Sequence, residues 1–304
     1  MGLLTIALAV TGAIAVCRRA EAQNRGVYPL GLSALNSGVM PESRFTYSNL
    51  FLYYSRNKSK GPDGEVRATG SNSVLMDMNS FAWVSGKRIL GGARYSASAT
   101  LPIANNSLSS DPGGAISGGG GLADSYYQPV ILGWSWKRAE IRAIYGFLAP
   151  TGRFEAGASD NVGSGYWTHV VASGQTIYLT ADRATTISAF QMYEFHDAQE
   201  GTDIHPGQTF NLDYSVTRMI PLRGDMRLQV GVIGYGQWQT TDKTGPGVTP
   251  EEEETRYRVN SIGFTGSLSL PKRKASVGLK YFQEFSNRST FEGSSLQISC
   301  SFGF

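Results

Sequence analysis

From Phe45 to the end of the chain, apolar and polar residues alternate with a period of two in about twelve segments of roughly 10–15 residues each. In 89–101, Ile89, Ala93, Tyr95, Ala97, Ala99 and Leu101 fall on one side, with Arg94, Ser96, Ser98 and Thr100 on the other. Segment 210–217 sets Phe210, Leu212, Tyr214 and Val216 against Asn211, Asp213, Ser215 and Thr217. Segment 227–239 sets Leu228, Val230, Val232 and Trp238 against Arg227, Gln229, Gln237 and Gln239. Val277, Leu279 and Tyr281 oppose Lys280 and Glu284. At the end, Leu296, Ile298, Cys300, Phe302 and Phe304 alternate strictly with Gln297, Ser299, Ser301 and Gly303. Successive side chains of a strand point to opposite faces, so each segment predicts a strand with one apolar face. A soluble sandwich alternates in the same way, and the connections have to discriminate.

They do so by length. Long, Gly/Ser/Asn/Asp/Pro-rich stretches are expected over 57–71, 104–121, 151–165, 197–207, 240–256 and 286–293. Between them lie tight turns at 85–88, 137–138, 181–182, 221–224 and 271–274. Sorting loops by length onto two ends is the habit of outer-membrane barrels, with long loops outside and short turns in the periplasm. The expected fold is therefore all-β: a transmembrane, antiparallel, up-and-down β-barrel of about twelve strands over 45–304. Both termini then lie on the periplasmic side of the bacterial outer membrane. Closure is required because lipid offers no hydrogen bonds to an open edge. The terminal Phe304 is similar to the final residue of bacterial outer-membrane barrels, where it signals to the assembly machinery. Aromatic clusters at segment ends (Tyr53 and Tyr54, Tyr126 and Tyr127, Trp134 and Trp136, Tyr166 and Trp167, Tyr193 and Phe195) suit interfacial girdles.

Composition fits a barrel. The chain has 37 glycines, 15 tyrosines and only 17% charged residues. A net charge of +3 gives no reason to expect a nucleic-acid partner. Residues 3–16 carry no charge but are too short to span a bilayer, and Ala20-Glu21-Ala22 follows as a cleavage pattern. Residues 1–22 thus read as a signal peptide, although no Lys or Arg precedes the apolar run. A lipoprotein signal at Cys17 is disfavoured by the bulk of Val16. After cleavage Cys300 is the only cysteine, so no intrachain disulfide can form.

Residues 23–44 fit neither strand nor helix, being interrupted by Pro29, Gly31, Gly38 and Pro41. They are nevertheless apolar in places, which favours either a segment folded into the lumen as a plug, with Tyr28, Pro29, Leu30 and Leu35 as its contacts, or a short linker. Tyr28-Pro29-Leu30-Gly31, Asn36-Ser37-Gly38, Pro41 and the Tyr-rich strand of Tyr47, Tyr53 and Tyr54 resemble the phenol-degradation (MetA-pathway) outer-membrane family. Gly118–Gly121 leading to Gln128-Pro129, the strand of Trp134 and Trp136, and Ser164-Gly165-Tyr166-Trp167 resemble it too. The likeness runs from about residue 26 to the end. It implies a barrel presumed to admit hydrophobic or aromatic compounds, and it carries over no catalytic or binding residues.

Chemistry finds little purchase. Gly118–Gly121 lacks the Lys-Ser or Lys-Thr of a phosphate loop, and His169, His196 and His205 have no metal-binding spacing. No metal, cofactor or catalytic residue is expected. A membrane hydrolase would pair His169 or His196 with serines such as Ser173 or Ser188. The polar strand faces offer more: Asp77, Asn79, Arg94, Arg142, Glu194, Asp213, Arg227, Lys280 and Glu284 are expected to line the lumen, with Phe81, Trp83, Phe190 and Phe282 on the same face. The expected function is passive uptake of small hydrophobic or aromatic compounds. The alternatives are a blocked structural or surface-interaction barrel and, third, the hydrolase.

Overall fold

The computed structural model describes residues 26–42, 44–110, 114–158 and 160–304. The signal peptide expected at 1–22 lies outside these residues. The strands are β1 (Phe45–Lys60), β2 (Val66–Ile89), β3 (Ala93–Ser110), β4 (Gly114–Leu122), β5 (Ser125–Ser135), β6 (Ala139–Ala149) and β7 (Thr168–Tyr178). They continue as β8 (Thr185–His196), β9 (Thr209–Pro221), β10 (Arg227–Gln239), β11 (Arg258–Leu270), β12 (Ala275–Glu284) and β13 (Thr290–Gly303). All 13 join one antiparallel sheet. β4 pairs with β3 from Ile103 to Ser110, and β5 pairs with the same strand from Arg94 to Thr100. They are two pieces of one stave, broken at Ala123 and Asp124, so the barrel has 12 staves. It closes where β1 meets β13, from Thr46 opposite Gly303 to Lys60 opposite Thr290.

Two of the expected long loops are mostly strand. β1 and β2 leave only 61–65 between them, and β3 and β4 extend the wall through most of 104–121. These outer strand ends are rich in Ser, Asn and Gly, so their composition reads as loop although the backbone still pairs. Gly118–Gly121 belongs to β4. The segment 240–257 does project as a loop and carries a short helix, α1 (Pro250–Glu254). Thr249 and Glu252 cap it reciprocally, and its first-turn glutamates suit the positive end of the helix dipole.

Large apolar side chains cover the outside, among them Phe51, Leu101, Val171, Val216, Phe264 and Ile298. Serines, threonines, amides and charged groups alternate with them on the inside. Thr176 and Ser188, Thr186 and Thr217, and Gln229 and Thr217 hydrogen-bond across the luminal wall. This apolar band on a closed antiparallel sheet places the protein in the bacterial outer membrane. The paired aromatics cannot all be girdle residues, because neighbours on a strand face opposite ways. Tyr126 and Tyr166 are buried inside while Trp167 faces out, and Tyr54 reaches Glu284 while Tyr53 faces lipid.

Candidate functional site

Residues 26–42 run through the lumen, without strand or helix, and the wall's charged side chains hold their backbone. Glu194, on β8, accepts the N–H groups of Val27 (2.9 Å) and Tyr28 (3.0 Å). Asp213, on β9, accepts Gly31 N–H at 3.0 Å, Ser33 N–H at 3.0 Å and the Tyr28 hydroxyl at 2.6 Å. On the acceptor side of the segment, Lys280 Nζ donates to the carbonyls of Gly31 (2.7 Å) and Leu32 (2.9 Å). Arg142 Nε donates to Ser37 O at 2.6 Å, and Arg94 Nη2 to Pro41 O at 2.8 Å. Acids thus take the segment's donors and bases its acceptors. An irregular backbone inside a barrel has no ladder to satisfy it, so each buried N–H and C=O needs such a partner.

Neutral residues complete the cradle. Gln297 donates to Leu30 O at 2.8 Å, Ser215 to Ala34 O at 2.7 Å, and Tyr257 accepts Gly26 N–H at 2.6 Å. Asn36 and Gln229 exchange two amide bonds of 3.0 Å, and Thr176 accepts Gly38 N–H. Their inward parity was legible, but nothing in their type distinguishes them from filler.

Apolar contacts do the rest. Tyr28 stacks on Phe190 with ring centroids 5.6 Å apart, and Leu30 and Leu35 pack against the cluster of Ile233, Tyr235 and Phe282. Two glycines mark how closely segment and wall approach. A Cβ on Gly31, whose φ is +80°, would overlap the Phe282 ring, and one on Gly38 would overlap the Glu140 carbonyl. Pro29 sits between the two hydrogen-bonded residues Tyr28 and Leu30 and lacks an N–H that would need a partner.

The other charged candidates divide into two groups. Glu284 points inward near the outer end: it accepts Tyr54 O–H, Tyr235 O–H, an Asn287 Nδ2 proton and Gly293 N–H, a network that ties β1, β10, β12 and β13. Arg227 lies on the inward parity of β10 at its exposed periplasmic end. Asp77 and Asn79 correct the expectation. They share their face with the exposed Leu75 and Phe81, whereas Met76 and Met78 point inward and Met78 packs on Leu50 and Leu52. Phe81 and Trp83 likewise face outward; Phe190 and Phe282 are luminal as expected. The hydrolase pairs are split by parity, with His169 and Ser173 outside and His196 and Ser188 inside. His196 bonds to Thr168 at 2.8 Å and its Nε2 lies 3.3 Å from Glu194. Among the described residues no cluster of three His, Cys, Asp or Glu could hold a metal.

Space remains beside the segment. A cavity of about 170 Å³ lies between it and the wall of β2, β3 and β5. Leu32, Met40, Ile131, Phe190 and Met192 make one part of its lining apolar, and Ser80, Ser96, Thr100, Gln128 and Arg142 make another polar.

The sequence profile of the family described as "Putative MetA-pathway of phenol degradation" matches residues 56–299. The chain belongs to this family. The match starts after the luminal segment, so Tyr28–Gly31 lies outside it. The fold is similar to that of the COG4313 outer membrane channel from Pseudomonas putida F1, with a TM-score of 0.71 at 11% identity over 88% of this chain and 98% of that one. It is also similar to the β domain of the Bordetella autotransporter BrkA, with a TM-score of 0.52 at 12% identity over 86% of this chain and 100% of the other. No curated protein matches the sequence.

Proposed function

We propose that this family member is an outer-membrane channel for passive entry of small hydrophobic or aromatic solutes, with residues 26–42 as its plug. One observation carries the reading. The segment is fastened by side-chain bonds from the wall and contributes nothing to the sheet's own ladder. A segment held this way can leave the lumen without opening the barrel. The mainly apolar cavity beside it marks the side along which solute would pass, and its few polar groups suit molecules with an aromatic body and a polar handle. The family's description and the channel with a similar fold support the same role. No cofactor or covalent step is needed.

Planar-bilayer conductance tests it. Refolded 23–304 is expected to be nearly silent, and a chain starting at Phe45 to conduct. Silence in both would mean that the lumen is filled by the wall itself. The blocked-barrel alternative would then hold, and the outer loops would be the place to seek a partner.

A further inference from the structure

Lipid disfavours what β1 and β2 present to it. Asn49, Asp77 and Asn79 sit together in the middle of the apolar band, with Tyr53 and Leu75 beyond them towards the outside and Tyr47, Phe81 and Trp83 towards the periplasm. They bond to one another. Asn49 Nδ2 donates to Asp77 Oδ1, Asn79 Nδ2 lies 3.5 Å from Asp77 Oδ2, and Tyr47 O–H donates to Asn79 Oδ1 at 2.7 Å. An ionisable group at membrane depth is expensive and marks a functional site unless it is paired away. Among the described residues no cation pairs it. A carboxylate has about four acceptor positions, and only the two amides reach Asp77. The cluster therefore has spare acceptors facing the bilayer, where water does not fill them.

Directly below it the same face is concave. A groove of about 590 Å³ is walled by Phe45, Tyr47, Phe81, Trp83 and Phe304 and floored by Ala97 and Ala99, whose small side chains leave the space open. That volume falls within the range of small-molecule sites, about 300–1,000 Å³. Tyr47 belongs to both features: its ring lines the groove and its hydroxyl holds Asn79. A second barrel is convex and would rest on the rims rather than fill the hollow. A cluster rich in acceptor oxygens is better matched by a hydroxyl donor than by the all-acceptor phosphates of lipid head groups.

We propose that this face is a lateral binding site for membrane-dissolved aromatic molecules bearing a hydroxyl donor, with the ring in the groove and the hydroxyl on Asn79 and Asp77. The site lies outside the lumen, so it stands or falls independently of the channel reading.

The test uses the full barrel refolded in vesicles, with 4-bromophenol as the probe and 4-bromoanisole as the same ring without the donor. Bromine quenches nearby tryptophan, and the difference between the wild type and Trp83→Phe isolates the signal of Trp83. We expect saturable quenching by 4-bromophenol, at least tenfold weaker for 4-bromoanisole. Ala99→Leu, which fills the groove, and Asp77→Leu, which removes the acceptor, should each abolish saturation; heat-modifiable gel mobility confirms that both variants are folded. Equal, non-saturating quenching by the two compounds would mean simple partitioning and overturn the site. So would saturation that survives either substitution.

Discussion

At the scale of the residue, Asp213 concentrates the interaction between the wall and the luminal segment proposed as the plug. One carboxylate takes two backbone N–H groups and the Tyr28 hydroxyl. Charged acceptors make stronger hydrogen bonds than neutral ones, and their loss leaves buried donors unpaired. Asp213→Ala should therefore cost the docked plug about 2–4 kcal/mol, roughly a 30- to 1,000-fold gain in the plug-free population. Single-channel recording would show this as more frequent openings, and hydrogen exchange over 26–42 as faster labelling. Asp213→Asn keeps an acceptor of the same shape and should lie between the two. If Asp213→Ala leaves both readouts unchanged, the contacts at Asp213 do not hold the plug in place.

At the scale of the element, β2 shows why some of the site was legible and some was not. The luminal position of Glu194, Asp213 and Lys280 followed from strands whose other face is apolar beside them: Phe195 and Tyr193, Tyr214 and Val216, Leu279 and Tyr281. β2 lacks that contrast. Its outward set is Leu75, Asp77, Asn79, Phe81 and Trp83, and its inward set Met76, Met78, Ser80 and Ala82, so polarity alone assigns the wrong face. The period was right and its phase was not, and only pairing with Phe51 and Tyr47 on β1 fixes the phase. That a luminal segment would dock through its backbone was not legible at all, because backbone groups leave no mark in composition. The same misplaced carboxylate makes a stability prediction. A charge on the lipid face near midplane is unfavourable, less so for Asp than for Lys or Arg, and Asp77→Leu should stabilise the barrel by on the order of 1 kcal/mol in denaturant titration into vesicles. Destabilisation would instead make the Asn49–Asp77–Asn79 network a structural clasp.

The last strand carries a second element-scale prediction. Phe304 is 71% exposed, and its backbone N–H bonds to Phe45 O at 2.8 Å, a contact that any residue can make. Phe304→Ala should leave refolding in vitro unchanged while lowering outer-membrane levels in cells several-fold, as fractionation and immunoblotting would show. Equal levels in cells would remove Phe304 as the signal read by the assembly machinery.

At the scale of the whole molecule, the barrel's ladder and the luminal segment are hydrogen-bonded independently of one another. Every stave is bonded to two neighbours by the ladder, including the β1–β13 seam, and none of those bonds comes from residues 26–42. Removing the segment leaves Glu194, Asp213, Lys280, Arg94 and Arg142 in a lumen that water can enter, so the charges are rehydrated rather than stranded in a dry interior. Deletion should accordingly be milder for the barrel than its many contacts suggest, with heat-modifiable mobility retained. The sharper form of this argument is a double-mutant cycle. In the intact chain Asp213→Ala frees the plug and raises conductance; in the chain starting at Phe45 the same change has no plug to free and should alter conductance by less than twofold. Coupling of that sign ties the effect of Asp213 to the segment it holds. An equal rise in both backgrounds would place the effect of Asp213 in the wall of the pore, and residues 26–42 would then be a fixed part of the lining.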